Sequence, residues 1–341
     1  PHLLCAAYES PLAPGDEALF GPSFEEQVGA LEERGLVTRA GGKWHISPAV
    51  SYPSEEVSIR STSPHSYLVV NGESGVVLEK VEEASAFFQL HPGAVYLHQG
   101  EPFLVTHLDL DARTAVVQPT DGVYYTQSKD MTDIVIVEQR WSKISGGVGV
   151  YLGDVEVTSH VMGYQKKQPL TEEVLGEEYL DLPPQRFNTV ALWFDIHPEF
   201  LAWIRGGRRD LSGGLHAAEH AAIGVLPLFA LCDRNDIGGV STPLHPDTGA
   251  PQIFIYDGHP GGIGIAERGY QIIEQLWRAT LDVVSQCPCS SGCPSCIQSP
   301  KCGNNNHPLD KQVAVALLEG LVYSHCPAPN NQDRKSPFPP C

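Results

Sequence analysis

The chain has 341 residues, 42% hydrophobic and 18% charged, a composition that buries cores in two or three ordinary domains and excludes a disordered or collagen-like polymer. Its apolar runs are too short to cross a bilayer, and its first residues lack the basic, apolar and small-residue succession of an export signal, so a cytoplasmic protein with no membrane partner is expected. The 22 Lys+Arg against 41 Asp+Glu give a formal charge of −19, which repels nucleic acid unless basic residues gather on one face.

Pro1 leads almost directly into the helix-like His2-Leu3-Leu4-Cys5-Ala6-Ala7, which reads as an internal boundary of a longer protein. Three short helices are expected over His2–Glu9, Gly15–Phe20 and Ser23–Arg34. In the third, Ser23 can cap with Glu26 three residues on, Phe24, Val28 and Leu31 share a face, and Gly35 ends the run. Gly35 to Arg39 then turns through Ala40-Gly41-Gly42 into Lys43-Trp44-His45-Ile46. A helix followed by such a hairpin is the pattern of a winged helix, which serves either DNA binding or protein packing.

From about Ser54 to Glu138 the pattern has period two. Strands are expected at Ser66–Val70, Gly75–Glu79, Ala94–His98, Pro102–Thr106, Ala115–Gln118 and Asp133–Val137, with one helix near Ser85–Leu90. Their spacing suggests a small barrel or a strongly bent sheet. Beyond Arg140, Val190–Phe194 and Gln252–Tyr256 look like buried strands, and Leu215–Cys232 like a buried helix kinked at Pro227. Ile263–Gln286 is amphipathic, Leu309–Tyr323 forms a last helix, and the polar run after Cys326 has nothing to bury.

Five of the nine cysteines lie in Cys287-Pro-Cys289-Ser-Ser-Gly-Cys293-Pro-Ser-Cys296 and the following Cys302. Zinc takes four thiolates in a tetrahedron, and short loops with Gly and Pro let them converge. Such a closed site is structural. The spacing fits neither common ferredoxin pattern, although an iron–sulfur cluster and a metal-free group of buried thiols are the alternatives.

His216-Ala-Ala-Glu219-His220 matches the H-x-x-E-H pattern of inverted zinc peptidases, with Glu219 as base. A third ligand is needed there, and Glu267 and Glu274 are the candidates. The simpler expectation is a packed helix whose histidines hydrogen-bond locally. Tyr256-Asp257-Gly258-His259-Pro260-Gly261-Gly262-Ile263-Gly264 joins a strand to a helix, as a tight turn or as a cradle for a DNA phosphate. No P-loop and no Asp-Glu-x-His/Asp box occurs, so these residues cannot form a motor.

The basic residues cluster as Arg34, Arg39 and Lys43 beside Trp44; Arg140 and Lys143 beside Trp141; Lys166 and Lys167; and Arg205, Arg208 and Arg209. Each group is either a phosphate-facing patch or a solvated surface. Candidate DNA contacts are therefore Arg39, Lys43, Arg140, Trp141, Lys143, Lys166, Lys167, Arg205, Arg208 and Arg209.

Gly261-Gly262-Ile263-Gly264, the string CPCSSGCPSCIQSPKCGNNNHPLDK from Cys287 to Lys311, and HPGAVYLHQGEPFLV from His91 to Val105 closely resemble the C-terminal half of the mitomycin repair factor A helicases of superfamily 2. The resemblance runs from His2 to about Leu321. It implies two preceding RecA-like motor domains that use ATP and Mg to translocate 3′ to 5′ on single-stranded DNA in repair. It also implies one structural zinc on Cys287, Cys289, Cys293 and Cys296, with Cys302 as a fifth candidate, and a framework role for the His216–His220 segment.

The expected fold is α+β in several parts: a winged helix (1–52), a small β-barrel-like connector (53–140), a mixed α/β zinc-binding domain (141–326) and a flexible tail (327–341). The expected role is an accessory region of an ATP-dependent DNA helicase that guides single-stranded DNA and is not catalytic alone. The alternatives are a zinc-dependent hydrolase built on His216, Glu219 and His220, and a zinc-stabilised protein-interaction module.

Overall fold

The computed structural model describes residues 2–55, 57 and 65–323, and the chain divides into two compact units, Pro1–Pro64 and His65–Cys341. The tail expected at 327–341 lies outside the described residues.

In the first unit, α1 (His2–Glu9), α2 (Glu17–Phe20) and α3 (Phe24–Glu33) precede the hairpin β1 (Val37–Ala40) and β2 (Lys43–Ile46). Phe24, Val28 and Leu31 face inward, as their spacing implied, and Phe24 packs edge-on to Trp44 with ring centres 6.0 Å apart. Ser23 makes no capping bond with its side chain; its hydroxyl instead accepts from Gln27 Nε2 at 2.9 Å. Gly35 stops α3 at φ +69°, where the Leu36 amide reaches back to the Leu31 carbonyl.

The second unit opens with β3 (Ser66–Asn71), β4 (Val77–Glu82), α4 (Glu83–Gln89), β5 (Val95–His98), β6 (Glu101–Asp109) and β7 (Thr114–Pro119). The five strands form a curled sheet in the order β4-β3-β7-β6-β5, with β3 and β7 parallel. Tyr67, Val69, Val105, Ala115 and Val117 from the strands enclose Phe87 and Leu90 in and beside α4.

There follow β8 (Tyr125–Ser145), β9 (Val148–Lys167), β10 (Val174–Tyr179) and β11 (Gln185–Phe194), then α5 (Pro198–Gly207), α6 (Leu211–Val225) and α7 (Pro227–Ala230). Strands β12 (Ile237–Thr242) and β13 (Gln252–Asp257) and helices α8 (Ile265–Gln271), α9 (Ile273–Gln286) and α10 (Lys311–Tyr323) complete it. The sheet runs β10-β9-β11-β13-β12, antiparallel throughout, with β8 on the other side of β9. The division expected at residue 140 falls inside β8.

One face of this sheet packs Val150, Leu152, Leu192, Phe194 and Ile255 against Leu215 of α6, Leu276 and Trp277 of α9, and Leu317 and Leu321 of α10. The other carries an aromatic stack of Tyr151, Trp193 and Phe254, with ring centres 5.6–5.7 Å apart. Burial on both faces explains why β11 ends in a continuous apolar run. The helix expected over Leu215–Cys232 divides because Pro227 has no amide to donate and instead begins α7.

Gly153 in β9 faces a bulge of β8 between Gln139 and Trp141, and a Cβ there would overlap the Glu138 carbonyl. Gly176 in β10 has open space around it. Gly153→Ala should therefore lower the urea midpoint of the chain by an amount worth about 1–3 kcal/mol, while Gly176→Ala should stay within about 0.5 kcal/mol of the parent.

Candidate metal centre

The loop between α9 and α10 carries the clustered cysteines, and it has little apolar content with which to hold itself. Cys287 ends α9, Cys296 is buried, and Ile297 behind it plugs into the main core. The backbone turns tightly at Cys293, whose carbonyl accepts from the amides of Cys296, Ile297 and Gln298 at 3.0–3.2 Å. This turn brings the four thiols together: Cys287–Cys289 are 3.6 Å apart, Cys287–Cys293 3.5 Å, Cys289–Cys296 3.5 Å and Cys293–Cys296 3.7 Å. A tetrahedral ion with Zn–S bonds of about 2.3 Å would set its sulfurs about 3.8 Å apart. The sulfurs thus already stand near the corners of such a tetrahedron.

Charge is compensated locally. Lys311, at the start of α10 and only 8% exposed, donates from Nζ to the carbonyls of Cys287 and Cys289 at 2.7 Å each and reaches Cys289 Sγ at 3.4 Å. Against the upward push of desolvation, donors from Cys296, Cys287 and Lys311 draw the Cys289 thiol down to about 6, which favours the thiolate that binds metal. Sequence reasoning assigned Lys311 no role. Its signal was a lysine opening a helix immediately after a cysteine loop.

A second cluster lies beside the first. His216 and His220, one turn apart on α6, stand with Cys302, and their ligand atoms all fall within 4.8 Å of one another. The third donor is thus a cysteine and neither Glu267 nor Glu274; Glu274 accepts a hydrogen bond from Ser145. Burial pushes both imidazoles down, His220 to about 4, so each is neutral near pH 7. Glu219 is turned toward β12, bonded to Ser241 and packed on Gly239, and burial raises its carboxyl to about 7.

The strand-to-helix turn at Asp257 is filled from within. The fully buried Asp257 carboxylate accepts from the amides of Ile263 at 2.5 Å, Gly264 at 2.8 Å, Ile265 at 3.2 Å and Ala266 at 2.7 Å. Gly264, at φ +92°, lets the chain curl around it. A phosphate expected there would meet the protein's own anion.

The predicted DNA contacts fare unequally. Arg140 is gripped by Asp154 through two bonds, Lys143 donates to the Tyr270 carbonyl at 2.6 Å, and Lys166 pairs with Glu178. Lys167 is 4% exposed and bonded to Gln127 and Asn305. Trp141 is exposed, as are Arg39, stacked over Trp44, and Lys43. Arg205 and Arg208 are also exposed, and Arg209 lies 3.8 Å over the Trp203 ring.

Residues 218–297 match the family description MrfA Zn-binding domain, and residues 1–62 match the winged helix domain of the ATP-dependent helicase HRQ1. The chain is homologous to the MrfA and HRQ1 helicases. It is 31% identical over 300 residues to the uncharacterized ATP-dependent helicase YprA of Bacillus subtilis, covering 87% of this chain and 39% of that protein. It is 27% identical to the ATP-dependent helicase HRQ1 of Saccharomyces cerevisiae, covering 94% and 31% respectively. The solved crystal structure of the DUF1998 helicase MrfA bound to DNA covers 94% of this chain and 42% of its own, with 29% identity and a TM-score of 0.52. The chain therefore spans about a third to two-fifths of the relatives it matches. The winged helix read from the Gly-Gly hairpin and the α+β, several-part architecture both stand.

Asp257 yields a direct test of the turn. Asp257→Ala would strand four amides at the start of α8 and should cost about 2–4 kcal/mol in chemical denaturation, with Asp257→Asn recovering part of the loss.

Proposed function

We propose that this chain is the non-motor region of an ATP-dependent DNA helicase working 3′ to 5′ in DNA repair in the cytoplasm, where it guides a single strand leaving RecA-like motor domains of the same protein. ATP and Mg would serve only those motor domains. A zinc ion held by Cys287, Cys289, Cys293 and Cys296 would keep the loop between α9 and α10 folded. The observation that carries the reading is the near-tetrahedral set of four thiols inside the segment matched to the MrfA Zn-binding domain. When bound, zinc supplies structural cross-linking and no chemistry; four thiolates leave no position for water. The seven described cysteines are all free thiols, as a reducing compartment would keep them.

DNA contacts are proposed where cations are exposed and beside aromatic rings. Arg209 over Trp203 after α5 and Arg39 over Trp44 on the wing satisfy this, and the exposed Arg205, Arg208 and Lys43 add charge close by in the chain. Arg140, Lys143, Lys166 and Lys167 are engaged with the protein itself, so their proposed share is smaller; Trp141 remains as an exposed stacking ring.

Two outcomes test this reading. Changing Cys293 and Cys296 to Ser should remove a thiolate-bound metal and open the region from Ile263 to Tyr323 to protease while leaving the chain around Trp44 uncut. Binding of a fluorescent single strand should fall steeply with salt against a net charge of −19. Arg205→Ala with Arg208→Ala should flatten that slope by roughly one unit for each phosphate no longer neutralised, and Arg140→Ala should change it little. No binding at low salt would instead favour a protein-interaction module.

A further inference from the structure

We infer that His216, His220 and Cys302 form a second metal site, separate from the four-cysteine site and suited to a borderline divalent cation such as zinc. Three features of the cluster point to a ligand. The first is spacing. Cys302 Sγ lies 3.5 Å from His216 Nε2, while Zn–N bonds of about 2.0 Å and a Zn–S bond of about 2.3 Å set an N–S tetrahedral edge near 3.5 Å. The two rings stand 4.2 Å apart, centre to centre, on one face of α6.

The second is the direction in which the imidazoles are held. His216 Nδ1 lies 2.9 Å from the Pro308 carbonyl, and His220 Nδ1 lies 2.9 Å from the Ile297 carbonyl. A carbonyl only accepts, so each Nδ1 carries the proton and each Nε2 presents a lone pair. Backbone carbonyls orient metal-ligating histidines in this way. Two histidines set in the same tautomer toward one thiol exceed what packing requires.

The third is the state of the thiol. Cys302 is 7% exposed, and the Asn306 amide donates to its sulfur at 3.2 Å. Burial pushes the Cys302 thiol up, and the amide aimed at its sulfur offsets part of that cost to the thiolate a metal needs. Among the described residues the cluster supplies three donors, which leaves one position of a four-coordinate ion for water or an added ligand.

The consequence is mechanical. Ile297, whose carbonyl orients His220, directly follows Cys296 of the first site, and Cys302 belongs to the same loop. A metal at the second site would bind that loop to α6, while the first site closes the loop on itself. The fifth cysteine then has its own task and does not compete for the four-cysteine site.

The purified chain, loaded with zinc and freed of excess by gel filtration, should retain about two zinc ions, and its X-ray absorption spectrum should contain imidazole scattering beside sulfur. His220→Gln and Cys302→Ser should each lower the content to about one ion with a sulfur-only shell. The wild-type spectrum does not depend on any variant folding. A sulfur-only shell with one ion in the wild type would overturn the second site and leave the first intact, whereas a shell lacking four sulfurs would count against the first alone. Unchanged zinc content in both His220→Gln and Cys302→Ser would also overturn it.

Discussion

Four thiols drawn to within 3.5–3.7 Å of their neighbours impose the constraint on which the helical side of the second unit depends. As thiolates they repel one another, and as thiols they make only weak hydrogen bonds, so beyond the backbone turn at Cys293 the sulfurs do little to hold one another there. A cation at their centre reverses the sign of the problem. Lys311 supplies one positive charge from outside and two hydrogen bonds to the loop backbone, which fixes the start of α10 against the end of α9. Ile297 then enters the core shared with α6, α9 and α10.

The same device recurs in polar form. Asp257 gathers four amides at the start of α8, and His216 and His220 hold the carbonyls of Pro308 and Ile297. In each case a turn or loop is ordered by a buried or half-buried polar group that bonds its backbone. Burying such a group costs several kcal/mol when it is unpaired, and that cost makes the observed arrangement specific. The sheet beneath supplies the rigidity: β11 and β13 are buried on both faces, so α6 and α9 pack on a surface that cannot shift easily.

The wing, the small curled sheet and the last helix were legible because each is local. Phe24, Val28 and Leu31 show a helical face, Gly41-Gly42 marks a turn, and strands such as Ser66–Asn71 alternate cleanly. The long β8–β9 hairpin was not legible as such. Bulges at Val137 and Arg140 of β8, and one at Met162 of β9, break the alternation, and only Ile134 and Ser145 of β8 are buried, so no period survives over its length. The cysteine cluster was legible from its spacing, because a tight loop converges on what lies within it, while the choice of Cys287, Cys289, Cys293 and Cys296 over Cys302 came from the family resemblance. Cys302 meeting His216 joins residues far apart in the chain, and no local pattern reports such a meeting. The partners of two basic residues were hidden for a similar reason: Arg140 and Lys166 look free in sequence, but the carboxylates of Asp154 and Glu178 arrive from neighbouring strands.

The central claim, that metal held by the cysteine loop orders the helical layer, is tested most directly by hydrogen exchange with and without a zinc chelator. Chelation should abolish protection across Cys287–Lys311 and weaken it in α6 and the start of α10, while β9 and β11 keep theirs. Protection in the cysteine loop that is unchanged after the metal has been removed would contradict it.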